Sequence, residues 1–146
     1  MTFQLPEPTT PFGVSVRRRV QEEYLIWLTA MGLHGMPQPA PVWFLWDEAA
    51  SNFLIYNQTY AKRLDLVRNN SQVALNFNGY GTGYGIITFT GHAQICPDEP
   101  PAHQHPLYLE KYRHWMTLKF GSPEQFAVDF SVALRVFPLK ARGSSW

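Results

Sequence analysis

Two neighbouring cations, Lys62 and Arg63, follow a polar segment at the predicted start of a helix over residues 60–68. Asn57 or Thr59 is expected to cap this helix, because short oxygen-bearing side chains accept hydrogen bonds from first-turn N–H groups. A cation beside the positive end of a helix dipole is mildly unfavourable unless an anion also binds there. Lys62 is therefore a candidate phosphate-binding residue, with a solvated helix start as the alternative interpretation.

Two short predicted strands precede this helix and position it. Residues 41–46 and residues 53–56 are dense apolar and aromatic runs, as in strands that are buried on both faces. Pro37, Pro39 and Pro41 are spaced by two, so their missing N–H groups face one side of an extended chain. That side cannot donate to a neighbouring strand. The segment is therefore predicted at a sheet edge, either beside a ligand or protected against aggregation.

Length and composition indicate one globular domain over residues 15–146, preceded by an extended arm over residues 1–14. The chain has 146 residues and is 45% hydrophobic, and its five Trp, seven Tyr and ten Phe predict an apolar interface in addition to a core. The net charge of +1 gives no argument for binding nucleic acid or an anionic membrane. A single cysteine, without a signal peptide or an apolar run long enough to span a membrane, predicts a soluble cytoplasmic protein.

The rest of the chain is typical of antiparallel strands joined by local turns. The glycine-rich segment 78–83 lacks the strand-then-helix context of a phosphate loop, so it is predicted to be a hairpin turn. Gly91 is expected at a bulge or bend. This order predicts a mainly β protein, a small antiparallel β-barrel with peripheral helices. Further strands are predicted over residues 24–31, 72–77, 84–96 and 129–137, and helices over residues 15–23, 107–119 and from 122.

No hydrolytic or metal-binding constellation is present in the sequence. It contains no GxSxG or HExxH motif, and its one cysteine has no evident base partner. His103 and His105 alternate between prolines without a third ligand, so no metal site is predicted. Tyr80, Tyr84 and His92 are the only candidate proton donors, and a structural role is the favoured interpretation of each. The catalytic residues stay unknown, and a bound cofactor is expected to supply any chemistry.

Several segments, taken in order, resemble the pyridoxamine 5′-phosphate oxidase-like flavin split-barrel superfamily. They are PVWFLW, FLIY, NQTYAKRLDLVRNNSQVALNF and IITFTGHAQI, and LYLEKY and VALRVFPLKARG are most similar to its branch of F420 (deazaflavin)-dependent reductases. The resemblance covers residues 20–143 without large gaps. It implies a six-stranded antiparallel split β-barrel of the FMN-binding type. It also implies a homodimer with a cofactor at each end of the subunit interface.

The same resemblance implies which residues contact the cofactor. Lys62 matches the phosphate-binding lysine of the superfamily. The residues that border the ring system are Gln38, Val42, Trp43 and Phe44. Those that line the ribityl–phosphate region are Tyr56, Asn57, Gln58 and Thr59. The basic cluster Arg17–Arg19 and the C-terminal Trp146 are left open, the arginines being either a solvated face or a contact for an acidic ligand tail.

The sequence departs from the family pattern at three places, which bear on the reaction that the resemblance implies. Asp65 replaces the usual Asn, Asn70-Ser71 replaces a common Asn/Asp-Pro, and VWFLW lacks the phosphate-binding arginine of pyridoxamine phosphate oxidases. The missing arginine argues against the vitamin B6 reaction and leaves FMN and deazaflavin open as cofactors. The resemblance then implies an F420H2-dependent reductase of small unsaturated molecules. The alternatives are an FMN-dependent oxidoreductase of the same fold and a non-catalytic flavin- or deazaflavin-binding carrier.

Overall fold

The computed structural model of the protein describes residues 2–143, so Trp146 lies outside the described residues. Seven strands and four α-helices, with one short 3-10 turn at Ala102–Gln104, make up this part of the chain. The elements are α1 (Pro11–Glu22), β1 (Leu25–Met31), β2 (Pro37–Trp43), β3 (Leu45–Asp47), β4 (Asn52–Asn57), α2 (Lys62–Asn69), β5 (Gln72–Phe77), β6 (Ile87–Ile95), α3 (Pro106–Phe120), α4 (Pro123–Asp129) and β7 (Val132–Gly143).

The strands form one antiparallel sheet in the order β2-β1-β5-β6-β7-β4-β3. The sheet curls so that β2 approaches β4, and the helices pack around this half-barrel. The predicted architecture is therefore confirmed, with seven strands in place of six. The proline-rich strand β2 lies at a sheet edge, as its missing N–H groups predict.

The extra strand arises because the predicted strand over residues 41–46 is interrupted at Phe44. The Phe44 N–H donates to the Tyr112 hydroxyl at 2.9 Å, and the Phe44 carbonyl accepts from Lys111 Nζ at 2.7 Å. Both backbone groups are thus satisfied by α3 and not by a neighbouring strand. The chain can therefore leave the edge of β1 and pair with β4 through β3.

Strand β4 separates two apolar cores, and its alternation places side chains in each. Phe53 and Ile55 point into the core of the half-barrel, whereas Leu54 and Tyr56 pack against the layer formed by α3 and α4. All six residues of β4 are buried. The prediction of a strand buried on both faces is confirmed here, and the second core encloses many of the aromatic rings.

The starts of two helices differ from the predictions. α1 begins at Pro11 and not at residue 15, and Thr10 caps it by accepting from the Gly13 N–H at 2.9 Å. Residues 11–14 of the predicted arm are thus helical. α2 begins at Lys62 with Ala61 at its N-cap and no side-chain cap, so the predicted capping by Asn57 or Thr59 is wrong.

The β5–β6 connection is a hairpin, and the ladder between β6 and β7 shifts register at Thr90/Gly91, which confirms the predicted turn and bulge. A Cβ at Gly91 would lie 2.1 Å from the Phe137 carbonyl oxygen, so this close approach requires glycine. α4 continues to Asp129, and β7 begins at Val132, later than predicted. None of the helices within residues 2–143 is long and apolar enough to cross a bilayer.

Arg19, in the predicted basic cluster, is a structural residue. Only 3% of it is exposed. Its guanidinium donates to the Gly85 carbonyl, to the Asn78 carbonyl at 2.7 Å and to the Glu23 carboxylate at 3.1 Å. It also lies 5.1 Å from the centroid of the Phe77 ring. These contacts fix both ends of the β5–β6 loop against α1.

The two neighbouring arginines have different environments. Arg17 donates to the Pro6 carbonyl at 2.8 Å and to the Leu5 carbonyl at 3.1 Å, so it holds the segment before α1 in place. Arg18 is exposed, and its guanidinium lies 3.9 Å from the Glu22 carboxylate. Of the three arginines, Arg18 alone presents its charge to solvent.

Candidate functional site

A cavity of about 290 Å³ opens where the ends of β2 and β4 and the start of α2 meet α3 and α4. Three of the residues predicted to contact a cofactor line it: Val42, Trp43 and Tyr56. Two cations, Arg63 and Lys119, lie among otherwise apolar and aromatic lining residues. A concave apolar surface with a few polar groups is typical of small-molecule sites.

Trp43 is held rigidly at the wall of this cavity. Its indole stacks on Tyr112 with centroids 4.6 Å apart and an interplanar angle of 6°, and on Phe126 at 5.2 Å and 21°. Phe120 contacts it edge-on at 6.1 Å. These ring contacts restrict the orientation of the indole at the cavity wall.

Arg63 is half-buried, and Asn57 determines its orientation. Arg63 Nε donates to Asn57 Oδ1 at 2.6 Å. The Asn57 amide in turn donates to the Ile55 carbonyl at 3.1 Å and the Val132 carbonyl at 3.0 Å. Asn57 is fully buried, so it positions Arg63 and does not itself face the cavity.

The charge of Arg63 has no carboxylate partner within residues 2–143. Burial lowers the pKa of its guanidinium, which reflects the cost of removing this cation from water. It lies in the first turn of α2, whose N–H groups have no side-chain cap, and the exposed Asp65 of this turn pairs with Arg68 at 3.1 Å. The Ala61 and Leu64 N–H groups bond the Gln58 and Ala61 carbonyls, which leaves the N–H groups of Lys62 and Arg63 for an anion beside the guanidinium.

The remaining predicted residues lie outside the cavity lining. Lys62 is exposed at the first position of α2. Gln58 and Thr59 lie in the turn before it, where the Gln58 carbonyl accepts from the Ala61 N–H at 3.1 Å. Phe44 is buried in the half-barrel core.

Gln38 is exposed on β2, four residues before Val42 and hence about 13 Å along the strand. The ends of β2 and β4 and the start of α2 thus meet at the cavity, whereas the first residues of β2 lie away from it. Gln38 could reach only a ligand that extends beyond the cavity.

Sequence reasoning missed the contribution of α3 and α4 to the cavity. Lys119 and Phe120 come from the end of α3, and Phe126 and Phe130, whose rings stack at 4.6 Å, come from α4 and its C-cap. The four-residue spacing of Phe126 and Phe130 indicates a shared helix face. No sequence signal shows that this face turns toward β2, because the packing partner is remote in the chain.

None of the candidate proton donors lines this cavity. His92 is exposed on the sheet, with its Nδ1 2.9 Å from Ser71 Oγ. The rings of Tyr80 and Tyr84 contact each other at 5.1 Å in the β5–β6 loop.

Tyr56 lines the cavity, but its hydroxyl donates to the Pro100 carbonyl at 2.6 Å. Burial, followed by the charge of Glu99, raises the pKa of Tyr56 well above its usual value, so it stays protonated.

The loop that receives the Tyr56 hydrogen bond is anchored to β7 by Arg135. Its guanidinium donates to the Glu99 carboxylate at 2.5 Å, to Asp47 at 3.0 Å and to Asn52 at 2.6 Å. Within the described residues, no group of three or more His, Cys, Asp or Glu side chains could hold a metal ion. The charged side chains that line the cavity are the two cations Arg63 and Lys119.

Three solved structures have a similar fold. An F420 reductase is 19% identical, with 86% of this chain and 94% of that chain covered and a TM-score of 0.67. The heme storage protein HutZ from Vibrio cholerae is 16% identical, with 97% and 95% covered and a TM-score of 0.61. An FAD-binding protein from Mesorhizobium loti is 14% identical, with 88% of each chain covered and a TM-score of 0.59. At these identities the likeness concerns the fold alone.

Comparison with curated proteins gives no match. The sequence profile of the family described as Pyridoxamine 5′-phosphate oxidase, in contrast, matches residues 15–136. This range includes every strand that borders the cavity, the start of α2 and the sheet up to the first part of β7. The protein therefore belongs to the pyridoxamine 5′-phosphate oxidase family.

Proposed function

We propose that this protein is an oxidoreductase that uses reduced F420 to reduce a small unsaturated molecule. The observation that carries the proposal is Arg63, a half-buried cation without a carboxylate partner in the described chain, beside the uncapped start of α2. An aromatic wall built on Trp43 adjoins it. A flavin or deazaflavin combines a phosphate with a planar ring system, which matches this combination of groups.

Each part of the site has a role in this proposal. Arg63 and the first-turn N–H groups of α2 bind the phosphate, with Lys62 adding a more distant positive charge. Asn57 orients Arg63. The aromatic side chains of α3 and α4 exclude water from the ring. Further cofactor contacts are proposed along β2 and the end of β4: Gln38, Val42, Trp43, Tyr56, Gln58 and Thr59. Phe44 is left out of this proposal, because its side chain is buried and both of its backbone groups are bonded to α3.

The bound cofactor supplies the hydride, and the protein holds and orients it. Three aromatic rings pack against the Trp43 indole and hold it in place, so the β2 edge is a preorganised border for a planar group. No side chain of the described cavity lining is assigned as a proton donor. The proton for the product is proposed to come from solvent.

A second copy of the chain is proposed to complete the site. Met31 and Leu139 border a shallow depression on the outer face of the sheet, and Phe137 pairs with His92 on the adjoining strands. Leu139 is 68% exposed and Phe137 is 39% exposed. Apolar side chains of this size on an open sheet face are typical of an interface.

The cofactor is tested by titrating the purified protein separately with FMN and with F420 and following absorbance or fluorescence. Binding of F420 at least about tenfold tighter than FMN supports the proposal, and the reverse order supports the FMN alternative. Failure to bind either would overturn the assignment of the cavity as a cofactor site.

A non-catalytic carrier is the second candidate, because none of the residues weighed as proton donors is free to serve in the cavity. Stopped-flow oxidation of bound F420H2 by a panel of α,β-unsaturated carbonyl compounds separates the two. Oxidation much faster than that of the free cofactor supports an enzyme. Tight binding with no acceleration for any acceptor supports the carrier.

A further inference from the structure

A second cavity of about 550 Å³ lies between α1, β3 and α3, and it shares no lining residue with the first. Lys111 of α3 lines it. The Lys111 Nζ donates to the Phe44 carbonyl at 2.7 Å and lies 3.7 Å from the centroid of the Phe44 ring and 5.2 Å from that of Tyr112. The amine is thus enclosed by aromatic rings at the edge of a space large enough for a small molecule.

Lys111 makes no ion pair with the carboxylates of the described chain, although several lie nearby. Glu22 from α1, Glu48 after β3 and Glu110 from α3 line the same cavity. Glu48 accepts from the Trp46 indole N–H at 2.6 Å. The cavity therefore presents negative charge at its lining while the lysine lies against an apolar wall.

This environment favours a neutral amine. Desolvation by burial lowers the pKa of Lys111 to about 7, and the charge of Glu23 opposes that effect only in part. The titratable groups that face it are Glu22, Glu23 and Tyr24 from α1 and the turn after it, Glu48 after β3, and Glu110 on its own helix. A neutral amine can still donate one hydrogen to the Phe44 carbonyl and keeps a lone pair.

Support of the Phe44 carbonyl explains the hydrogen bond of Lys111 but not the cavity beside it. The Tyr112 hydroxyl accepts from the Phe44 N–H, and its single proton can be donated either to the Phe44 carbonyl, 2.9 Å away, or to the Tyr24 carbonyl, 2.6 Å away. Lys111 is therefore the second donor for these two carbonyls. Burying a lysine without an ion pair is costly, and the cavity beside it needs no lysine to exist.

We propose that Lys111 is a reactive amine that captures a small uncharged or cationic aldehyde as a Schiff base in this second cavity. The lone pair of Nζ adds to the carbonyl carbon, and the carbonyl oxygen takes up the proton released by nitrogen. The resulting hydroxyl group then leaves together with the second nitrogen proton as water, and the neutral imine remains. The step needs no oxidant or reductant. Glu22, Glu48 and Glu110 disfavour an anionic aldehyde by charge repulsion.

The proposal is tested on the full-length native protein with two matched aldehydes, 4-trimethylammoniobenzaldehyde and 4-carboxybenzaldehyde. Sodium cyanoborohydride traps the imine, and peptide mass spectrometry locates the adduct. With the cationic aldehyde at pH 7 we expect Lys111 to be modified at least about tenfold faster than Lys119, an exposed lysine on the same helix. The rate at Lys111 should level off above pH 7.

The anionic aldehyde should reduce the ratio of Lys111 to Lys119 modification at least about fivefold. Lys111→Arg keeps a donor for the Phe44 carbonyl and should fold normally while losing only this adduct. Modification of Lys111 in urea but not in the native protein would overturn the proposal and leave a structural lysine. Equal rates at Lys111 and Lys119 in the native state would overturn it as well.

Discussion

Arginine and lysine bind phosphate differently, and α2 begins with one of each. The planar guanidinium donates in a fixed fork, whereas the ammonium is a strongly hydrated point charge. Arg63 faces the cavity with its orientation set by Asn57, and Lys62 projects into solvent. Adjacent positions at a helix start thus have unequal access to a ligand, so Arg63 is now the stronger candidate for direct phosphate contact.

We expect Arg63→Met to weaken cofactor binding by about 1.5–3 kcal/mol, or roughly ten- to a hundredfold, because a charge-assisted hydrogen bond is lost. Lys62→Met, the matched control in the same turn, should cost less than about 1 kcal/mol, because an exposed charge is screened by water. Titration of each variant with F420 and with FMN measures both effects. A larger loss for Lys62→Met would place the phosphate on the solvent side of α2.

The arginines of α1 also differ by position, and their variants test this difference. Arg19→Met should destabilise the fold by about 2–4 kcal/mol, because the Gly85 and Asn78 carbonyls lose their donor. Arg18→Met should change stability by less than about 0.5 kcal/mol. Urea denaturation of both variants checks this, and equal midpoints would show that Arg19 does not hold the β5–β6 loop.

The lowered pKa of Lys111 predicts that the free energy of unfolding changes with pH in a definite direction. Its folded-state pKa of about 7 lies below that of an unfolded lysine, so between these values the unfolded chain binds more protons. Stability from this group therefore rises with pH, on the order of 2 kcal/mol from pH 7 to pH 9. Urea denaturation at both pH values should show this rise in the parent and not in Lys111→Met. The same slope in both proteins would refute a depressed pKa.

At the scale of elements, the strands follow from local pattern and the connections between them do not. The alternation in β5 and the continuous burial of β4 are visible in the sequence, because side chains of a strand alternate between two faces. The break at Phe44 depends on Tyr112 and Lys111, which lie 68 and 67 residues away. No local window contains that information.

The start of α2 illustrates the same limit. Asn57 and Thr59 have side chains suited to capping, but Asn57 is used by the carbonyls of Ile55 and Val132 and by Arg63. Tertiary contacts therefore override a local capping preference. The likeness to a family predicts a phosphate at the start of α2 from the order of the segments alone, and this stays a prediction. It could not show which of two adjacent cations turns inward, or that α3 and α4 complete the wall.

At the scale of the whole molecule, the aromatic content has a different explanation from the one predicted. Rings such as Tyr108, Tyr112 and Phe126 fill the second core between the sheet and the helices α3 and α4, so composition alone does not require an interface. The open face of the sheet is a better argument for an interface than the aromatic content. Its exposed apolar side chains, Phe137 and Leu139, lie on β7, and the half-buried Met31 lies on β1. No residue of the four helices borders the depression on this face.

This face leads to a prediction about assembly that has a matched control. Leu139 on β7 is 68% exposed and Leu118 on α3 is 65% exposed, so the two leucines differ in place and not in solvent access. We expect the parent protein and Leu118→Glu to sediment as dimers at micromolar concentration. Leu139→Glu should weaken the dimer at least about tenfold, because a desolvated carboxylate would lie in an apolar contact.

The same pair of variants tests whether the cofactor site needs the second copy. If it does, Leu139→Glu should also weaken cofactor binding at protein concentrations where it is monomeric, and raising the concentration should restore binding by mass action. Leu118→Glu should bind like the parent throughout. Sedimentation with and without cofactor, followed by titration at two protein concentrations, measures both quantities. A parent protein that stays monomeric yet binds cofactor fully would show that one half-barrel, with the cavity between Trp43 and Arg63, is sufficient.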